Sequence, residues 1–241
     1  MKQFRFGILG AGGIAHKFCN AVGKVDDACV AAVASKDQKR AWRFAKRHGI
    51  EDFYSDYEHL LAREDIDAIY IATTHNFHYE NIIACLEHNK PVLCEKSMVP
   101  TAAQAQEIFS LAKEKKLFVM EAMWSRFLPH INQARQWIKE GRIGNLEAAT
   151  CTIGFSASRD PAHRINNPVL GGGAAYDIGV YAIELTTYLI DEPVIDVQSI
   201  LTRSETGVDK TDSILLRFPS CTANLQATTA ATVREELCIY G

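Results

Sequence analysis

Over roughly the first 120 residues, short apolar runs rich in β-branched residues alternate with longer stretches in which apolar side chains return every three or four positions. The short runs predict strands at 4–9, 29–34, 68–72, 91–94 and 117–121. The stretches between them, such as 14–23 and 39–48, predict amphipathic helices. Strands alternating with helices in this way give an α/β fold, a doubly wound parallel sheet covered on both faces.

Near residue 125 the rhythm changes. Residues 127–140 predict a helix, glycines at 141 and 144 turn the chain, and 146–155 alternates as a strand. A polar loop over 156–168, a glycine-led helix over 171–190 and strands at 194–203, 211–218, 221–230 and 235–240, expected to be antiparallel, complete the pattern. Two domains are expected, 1–122 and 123–241, the second an α+β domain with an open, mostly antiparallel sheet. The chain stops on LCIYG, a strand without a covering element, which suggests a C-terminally truncated version of a longer protein.

The 241 residues are 47% hydrophobic and 23% charged, the balance of a folded globular protein. A formal net charge of -3 offers no broad attraction to nucleic acid or an anionic membrane, so any anion must be held locally. Seven scattered cysteines without a C-x-x-C pair read as reduced thiols. With no signal-peptide core and no membrane span, the expected location is cytoplasmic.

The run Gly10-Ala11-Gly12-Gly13-Ile14-Ala15 follows the first strand and opens a helix, which is the context a Rossmann dinucleotide-binding fingerprint requires. Gly10 permits the tight turn and Gly12 lets backbone amides approach a pyrophosphate. Ala15 keeps the helix close to the strand, and the helix N-terminus adds partial positive charge. At the end of the second strand, where an NAD enzyme carries an acid, stand Ser35 and Lys36, with Arg40 one turn on. A hydroxyl and two cations suit a 2′-phosphate, so NADP is expected. Asp37, one register step away, leaves NAD possible.

Lys96, in Val92-Leu93-Cys94-Glu95-Lys96-Ser97, falls at the carboxyl end of a strand, where open α/β sheets gather their ligands. A second notable run is Gly171-Gly172-Gly173-Ala174-Ala175-Tyr176-Asp177-Ile178-Gly179-Val180-Tyr181. Asp177 and Tyr181 are four apart on one predicted helix and so share a face. Together with Glu121-Ala122-Met123-Trp124-Ser125-Arg126-Phe127-Leu128-Pro129, these segments resemble the glucose-fructose oxidoreductase, inositol dehydrogenase and MocA family over essentially the whole chain. Within it they are most similar to the dimeric dihydrodiol dehydrogenase and glucose-fructose oxidoreductase branch.

That resemblance implies NADP, a homodimer, and Lys96 and Tyr181 at the nicotinamide and substrate, with Asp177 beside them. It further implies cofactor contacts from Glu95 and from Thr73 and Asn76, which follow the strand ending at 72. Two departures from the family pattern are Ser97, where proline is usual, and Tyr181, where many members have histidine. Arg126 and Arg164 are candidates for polar substrate groups. His75 and His78 have no third ligand at metal spacing and read as capping or core residues, so no metal is expected.

The expected activity is reversible hydride transfer between NADP(H) and a hydroxyl or carbonyl carbon of a sugar, polyol or dihydrodiol-like small molecule. The alternatives are a dinucleotide-sensing regulatory protein that no longer catalyses, and an NAD-dependent inositol-type dehydrogenase.

Overall fold

A computed structural model describes residues 3–241. The chain divides into two compact units, Met1–Ala122 and Met123–Gly241.

In the first unit, six strands form one sheet in the order β3-β2-β1-β4-β5-β6: β1 Phe4–Leu9, β2 Ala28–Ala34, β3 Asp52–Tyr54, β4 Ala68–Ile71, β5 Val92–Cys94 and β6 Val119–Glu121. Every pairing is parallel. Successive side chains enter opposite cores. Leu9, Ile69 and Ile71 pack with Ile82 and Ile108 on one face, while Ile8, Val33 and Tyr70 pack with Ala15 and Phe44 on the other. That double burial is why these strands read as continuous apolar runs.

The helices are α1 Gly13–Val22, α2 Gln38–His48, α3 Tyr57–Leu61, α4 His78–Glu87 and α5 Ala102–Lys115. Asp37 caps α2 by accepting from the Arg40 amide at 3.1 Å, and Gly49 ends it at φ +66. β3 has no counterpart among the expected strands, because its three residues are too few to establish a period.

The second unit opens with a 3₁₀ turn, Trp124–Phe127, and α6 Pro129–Lys139. Its five-stranded sheet runs β11-β7-β10-β9-β8, with β7 Ala148–Gly154, β8 Asp196–Arg203, β9 Asp209–Arg217, β10 Thr222–Thr228 and β11 Glu236–Tyr240. The sheet is mostly antiparallel, as expected. One pair departs from that: β10 lies parallel to β7 in the middle of the sheet. Alternation along a strand reports which face is buried and not the direction of its neighbour, so the pattern could not reveal this.

α7 Val180–Ile190 covers one face, where Ala182 and Ile190 pack with Cys151, Leu216, Ala223 and Leu225. The helix expected over 171–190 begins later than predicted. Gly171 and Gly173 sit at φ +71 and +128, outside the helical region, and Ala175–Gly179 forms a π-helical turn before α7. The expected loop contains two further 3₁₀ turns, Arg164–Asn166 and Pro168–Leu170. Among the described residues no helix is long and apolar enough to cross a membrane.

Candidate functional site

The glycine-rich turn joins the centre of the first sheet to α1. Gly10 has φ +98, and a Cβ there would stand 2.8 Å from the Ala72 carbonyl oxygen, so the turn admits only glycine. Gly13 has nothing within 4 Å of a notional Cβ, leaving open space beside the first turn of the helix. Gly12 is the N-cap of α1 and supplies no side-chain hydrogen bond, and no acidic residue occupies the first turn. The first amides of α1 thus keep their donor capacity, which is what a pyrophosphate requires. Ala15 is fully buried, while Ile14 is partly exposed.

At the end of β2, Ser35 is buried and its hydroxyl accepts from the Asp37 amide at 3.4 Å. The Asp37 carboxylate turns into α2 as its cap, with the Arg40 guanidinium 4.0 Å away, and these bonds hold its carboxyl below the usual range. Lys36 Nζ lies 4.9 Å from the centre of the Phe77 ring. Lys36 also lines a cavity of about 250 Å³ together with Leu9, Ser55, Tyr57 and Asn81.

Lys96 follows β5, and its segment is held from several sides. The Tyr70 hydroxyl donates to Glu95 Oε1, and the Lys96 amide donates to Glu95 Oε2 at 3.3 Å. Glu95 is largely buried, which pushes its carboxyl up, against the bonds from Tyr70 and Lys96 that lower it. His75 Nε2 donates to the Lys96 carbonyl at 3.0 Å. His78, fully buried, lies between two carbonyl oxygens, Ser97 at 2.9 Å from Nδ1 and Thr73 at 3.1 Å from Nε2. Burial lowers its pKa while both carbonyls favour the charged ring, and a neutral ring donates to only one of them at a time.

Both histidines, expected as capping or core residues, are buried. Their contacts bind the segment after β4 to the segment after β5. Thr73 Oγ1 accepts from Asn81 at 3.1 Å, and Asn76 Oδ1 accepts from the Thr74 hydroxyl at 2.7 Å. The linking roles of Tyr70, His75 and His78 had no local signal, because each bond spans about twenty residues or crosses neighbouring strands.

In the second unit, the Tyr181 hydroxyl accepts from Trp124 Nε1 at 2.9 Å, with the rings 6.1 Å apart at 69°. Asp177 is buried and forms an ion pair with Arg164 at 2.9 Å. Asp177 lies in the π-helical turn and Tyr181 in the α-helix after it, so the four-residue spacing does not have its regular α-helical meaning. Arg126 pairs with the buried carboxylate of Glu184, whose other oxygen accepts from Ser125 at 3.1 Å. Both candidate arginines therefore neutralise buried carboxylates. Trp124 and Glu184 were not singled out as site residues, although Trp124 lies within the motif that carried the resemblance. Among the described residues no three His, Cys, Asp or Glu side chains converge as a metal site.

A parallel sheet with an open glycine turn at its centre and a lysine at the end of a neighbouring strand defines a dinucleotide-binding fold. The chain belongs to the GFO/IDH/MocA oxidoreductase family: the model of its NAD-binding Rossmann fold matches residues 4–123, and that of its C-terminal domain matches residues 131–241. Similar proteins include a trans-1,2-dihydrobenzene-1,2-diol dehydrogenase of Xenopus tropicalis, 34% identical, with 98% of this chain and 72% of that protein covered. A D-xylose 1-dehydrogenase (NADP(+)) of Hypocrea jecorina is 35% identical, with 89% and 62% covered. This chain therefore spans about three fifths to three quarters of the length of these relatives.

Among solved structures, a 3-ketoreductase from Actinomadura kijaniata in complex with NADP and TDP-benzene is 28% identical, with a TM-score of 0.89 over 100% of this chain and 74% of that one. An aldose-aldose oxidoreductase from Caulobacter crescentus shares the fold at a TM-score of 0.92 and 23% identity, over 100% and 75%.

Proposed function

We propose that the protein is an NADP-dependent dehydrogenase that interconverts a hydroxyl and a carbonyl on a sugar, polyol or dihydrodiol-like small molecule. The observation that carries this reading is the placement of Lys96 after β5, on a segment fastened by Glu95, His75 and His78, in the same sheet as the open turn at Gly10–Ala15. The relatives named as diol and xylose dehydrogenases support the substrate class.

Residues Gly10, Gly12, Gly13, Ile14 and Ala15 would hold the pyrophosphate through backbone amides. Ser35, Lys36 and Arg40 would take the 2′-phosphate. The capping bond of Asp37 favours NADP over NAD, because that carboxylate is already engaged by the helix amide that follows it. Thr73, Asn76 and Glu95 would line the remainder of the cofactor. When bound, the dinucleotide supplies the hydride acceptor and donor.

In the oxidation direction the substrate C–H gives up a hydride, the hydroxyl gives up its proton, and a carbonyl forms. Tyr181, entering this direction as its phenolate, takes that proton and becomes the phenol, and Lys96 supplies a positive charge that stabilises the phenolate and the substrate oxyanion, with the two roles open to exchange. Asp177 orients the turn before Tyr181. Arg164 and Arg126, paired to Asp177 and Glu184, would present their exposed N–H groups to polar substrate atoms.

We also infer a cytoplasmic homodimer. Support for the dimer comes from the outer face of the second sheet, where Ile200 and Leu215 are 79% and 37% exposed. Sedimentation would test it. The enzymatic reading is tested by NADPH- and NADH-dependent turnover on aldoses, polyols and dihydrodiols. Tight NADPH binding without turnover would favour a sensor instead.

A further inference from the structure

Two carboxyls at the start of β9 have no part in the roles assigned so far. Asp212 is 4% exposed, and its Oδ2 has no hydrogen-bond partner. Its carboxyl lies close enough to that of Asp209 for each to act on the other. Residues three apart on a regular strand face opposite sides. Here the register with β8 shifts between Thr202 and Arg203, which oppose Thr211 and Asp209, so Lys210 is an extra residue and the two aspartates reach the same face.

Asp209 reaches further, to the glycine-led segment 171–175. Its Oδ2 accepts from the Ala175 amide at 2.6 Å, at the first residue of the π-helical turn. A Cβ on Gly173 would lie 2.2 Å from its Oδ1, so glycine there is what lets the carboxylate in.

The surrounding elements add little opposing charge. Arg203, opposite Asp209 on β8, donates to the Gly207 carbonyl at 2.7 Å. Leu201 on β8 and Ala227 on β10, opposite Asp212, are uncharged. Asp177 on the turn is paired with Arg164, and Lys210 is exposed.

We propose that Asp209 and Asp212 share one proton and act as positioning residues for the turn that carries Asp177 and leads into Tyr181, so that loss of this proton loosens the turn. The importance of that turn for turnover rests on the function proposed above. Protonated Asp212 donates to Asp209, and Asp209 in turn holds the Ala175 N–H. Without the proton, two carboxylates face each other, one with a buried oxygen that no donor reaches. Asp209 can relieve this only by moving, which deprives Ala175 of its acceptor.

Burial, followed by the Asp209 carboxylate, pushes Asp212 up to about 7. A raised carboxyl pKa means that the native state holds a proton which the unfolded chain has already lost above about 4. The contribution of Asp212 to stability is therefore full at acid pH, declines as pH rises through this window and is lost above 7.

The test is hydrogen exchange of the 171–181 segment at pH 6 and pH 8, corrected for intrinsic exchange, in the wild-type chain, Asp212→Asn and Tyr181→Phe. Asp212→Asn keeps an N–H donor toward Asp209 and cannot ionise. The expected result is that wild type and Tyr181→Phe lose protection about tenfold between the two pH values, the ratio one pH unit beyond the pKa gives, while Asp212→Asn does not. Equal pH dependence in wild type and Asp212→Asn overturns the shared proton. Because this readout needs no turnover, it stands apart from the proposed activity. With a working substrate, the turnover of wild type should fall through pH 7 and that of Asp212→Asn should not. An unchanged turnover profile in Asp212→Asn overturns the positioning role.

Discussion

The indole N–H of Trp124 donates to the hydroxyl oxygen of Tyr181 across 2.9 Å, which ties the 3₁₀ turn before α6 to the start of α7. A phenol so placed keeps its own proton for another acceptor and has a donor ready to stabilise negative charge on its oxygen. The contact gives Tyr181 a fixed orientation and a polar partner outside its own helix.

Trp124→Phe should therefore reduce turnover while leaving NADPH binding unaltered. The loss expected for one neutral hydrogen bond, about 1 to 1.5 kcal/mol, is roughly five- to thirteenfold in rate. Steady-state kinetics beside fluorescence titration of NADPH would check it. Equal losses in rate and cofactor affinity would mean that the substitution disturbs the fold instead.

Gly10→Ala and Gly13→Ala should behave oppositely. At Gly10 the positive φ and the approach of the Ala72 carbonyl make a methyl group costly, about 1–3 kcal/mol, and dinucleotide binding should fall with stability. At Gly13 there is open space at the start of a helix, where alanine should be neutral or stabilise by up to about 1 kcal/mol. Urea denaturation of both variants, with NADPH titration, distinguishes a strained turn from a merely small one.

His16 and His48 join α1 to α2 through a ring-to-ring hydrogen bond of 2.6 Å. Burial, chiefly, lowers both pKa values; Arg47 adds to it at His16, and the His16 ring followed by Arg47 adds to it at His48. The unfolded chain then binds protons more readily than the native one, so stability is unaffected above about 6.5 and declines as pH falls below it. Thermal midpoints from pH 7.5 to 5 should drop in wild type and drop less in His48→Gln.

Arg126→Ala should lower stability by about 1 to 2 kcal/mol. It strips the buried Glu184 of a cation, but the arginine is half exposed and its contribution is screened. Restoration of stability in the Arg126→Ala, Glu184→Gln double variant would identify the arginine as mainly a neutraliser. A rise in substrate KM that survives in the double variant would support the proposed substrate contact.

The parts of the fold legible in the sequence are those whose cause is local. Gly10 to Ala15 could be read because strand, turn and helix start lie within a dozen residues, and Ser35-Lys36 because it ends an apolar strand. The parallel neighbours β7 and β10 lie about seventy residues apart, and nothing in either strand specifies the other's direction. Asp209 was invisible for the same reason: its meaning comes from Ala175 and Gly173, reached only after the sheet forms. The π-helical turn at Ala175–Gly179 defeated a spacing rule that assumes 3.6 residues per turn.

Whether the protein is an NADP-dependent dehydrogenase that uses Lys96 is decided by following NADPH absorbance with wild type and Lys96→Met against a panel of aldoses, polyols and dihydrodiols, in both reaction directions. Wild type should turn over with NADP(H) in preference to NAD(H), and Lys96→Met should bind NADPH with little change and turn over at least a hundredfold more slowly, a loss of about 2.7 kcal/mol. Undiminished turnover in Lys96→Met, or a preference for NAD(H), would contradict this reading.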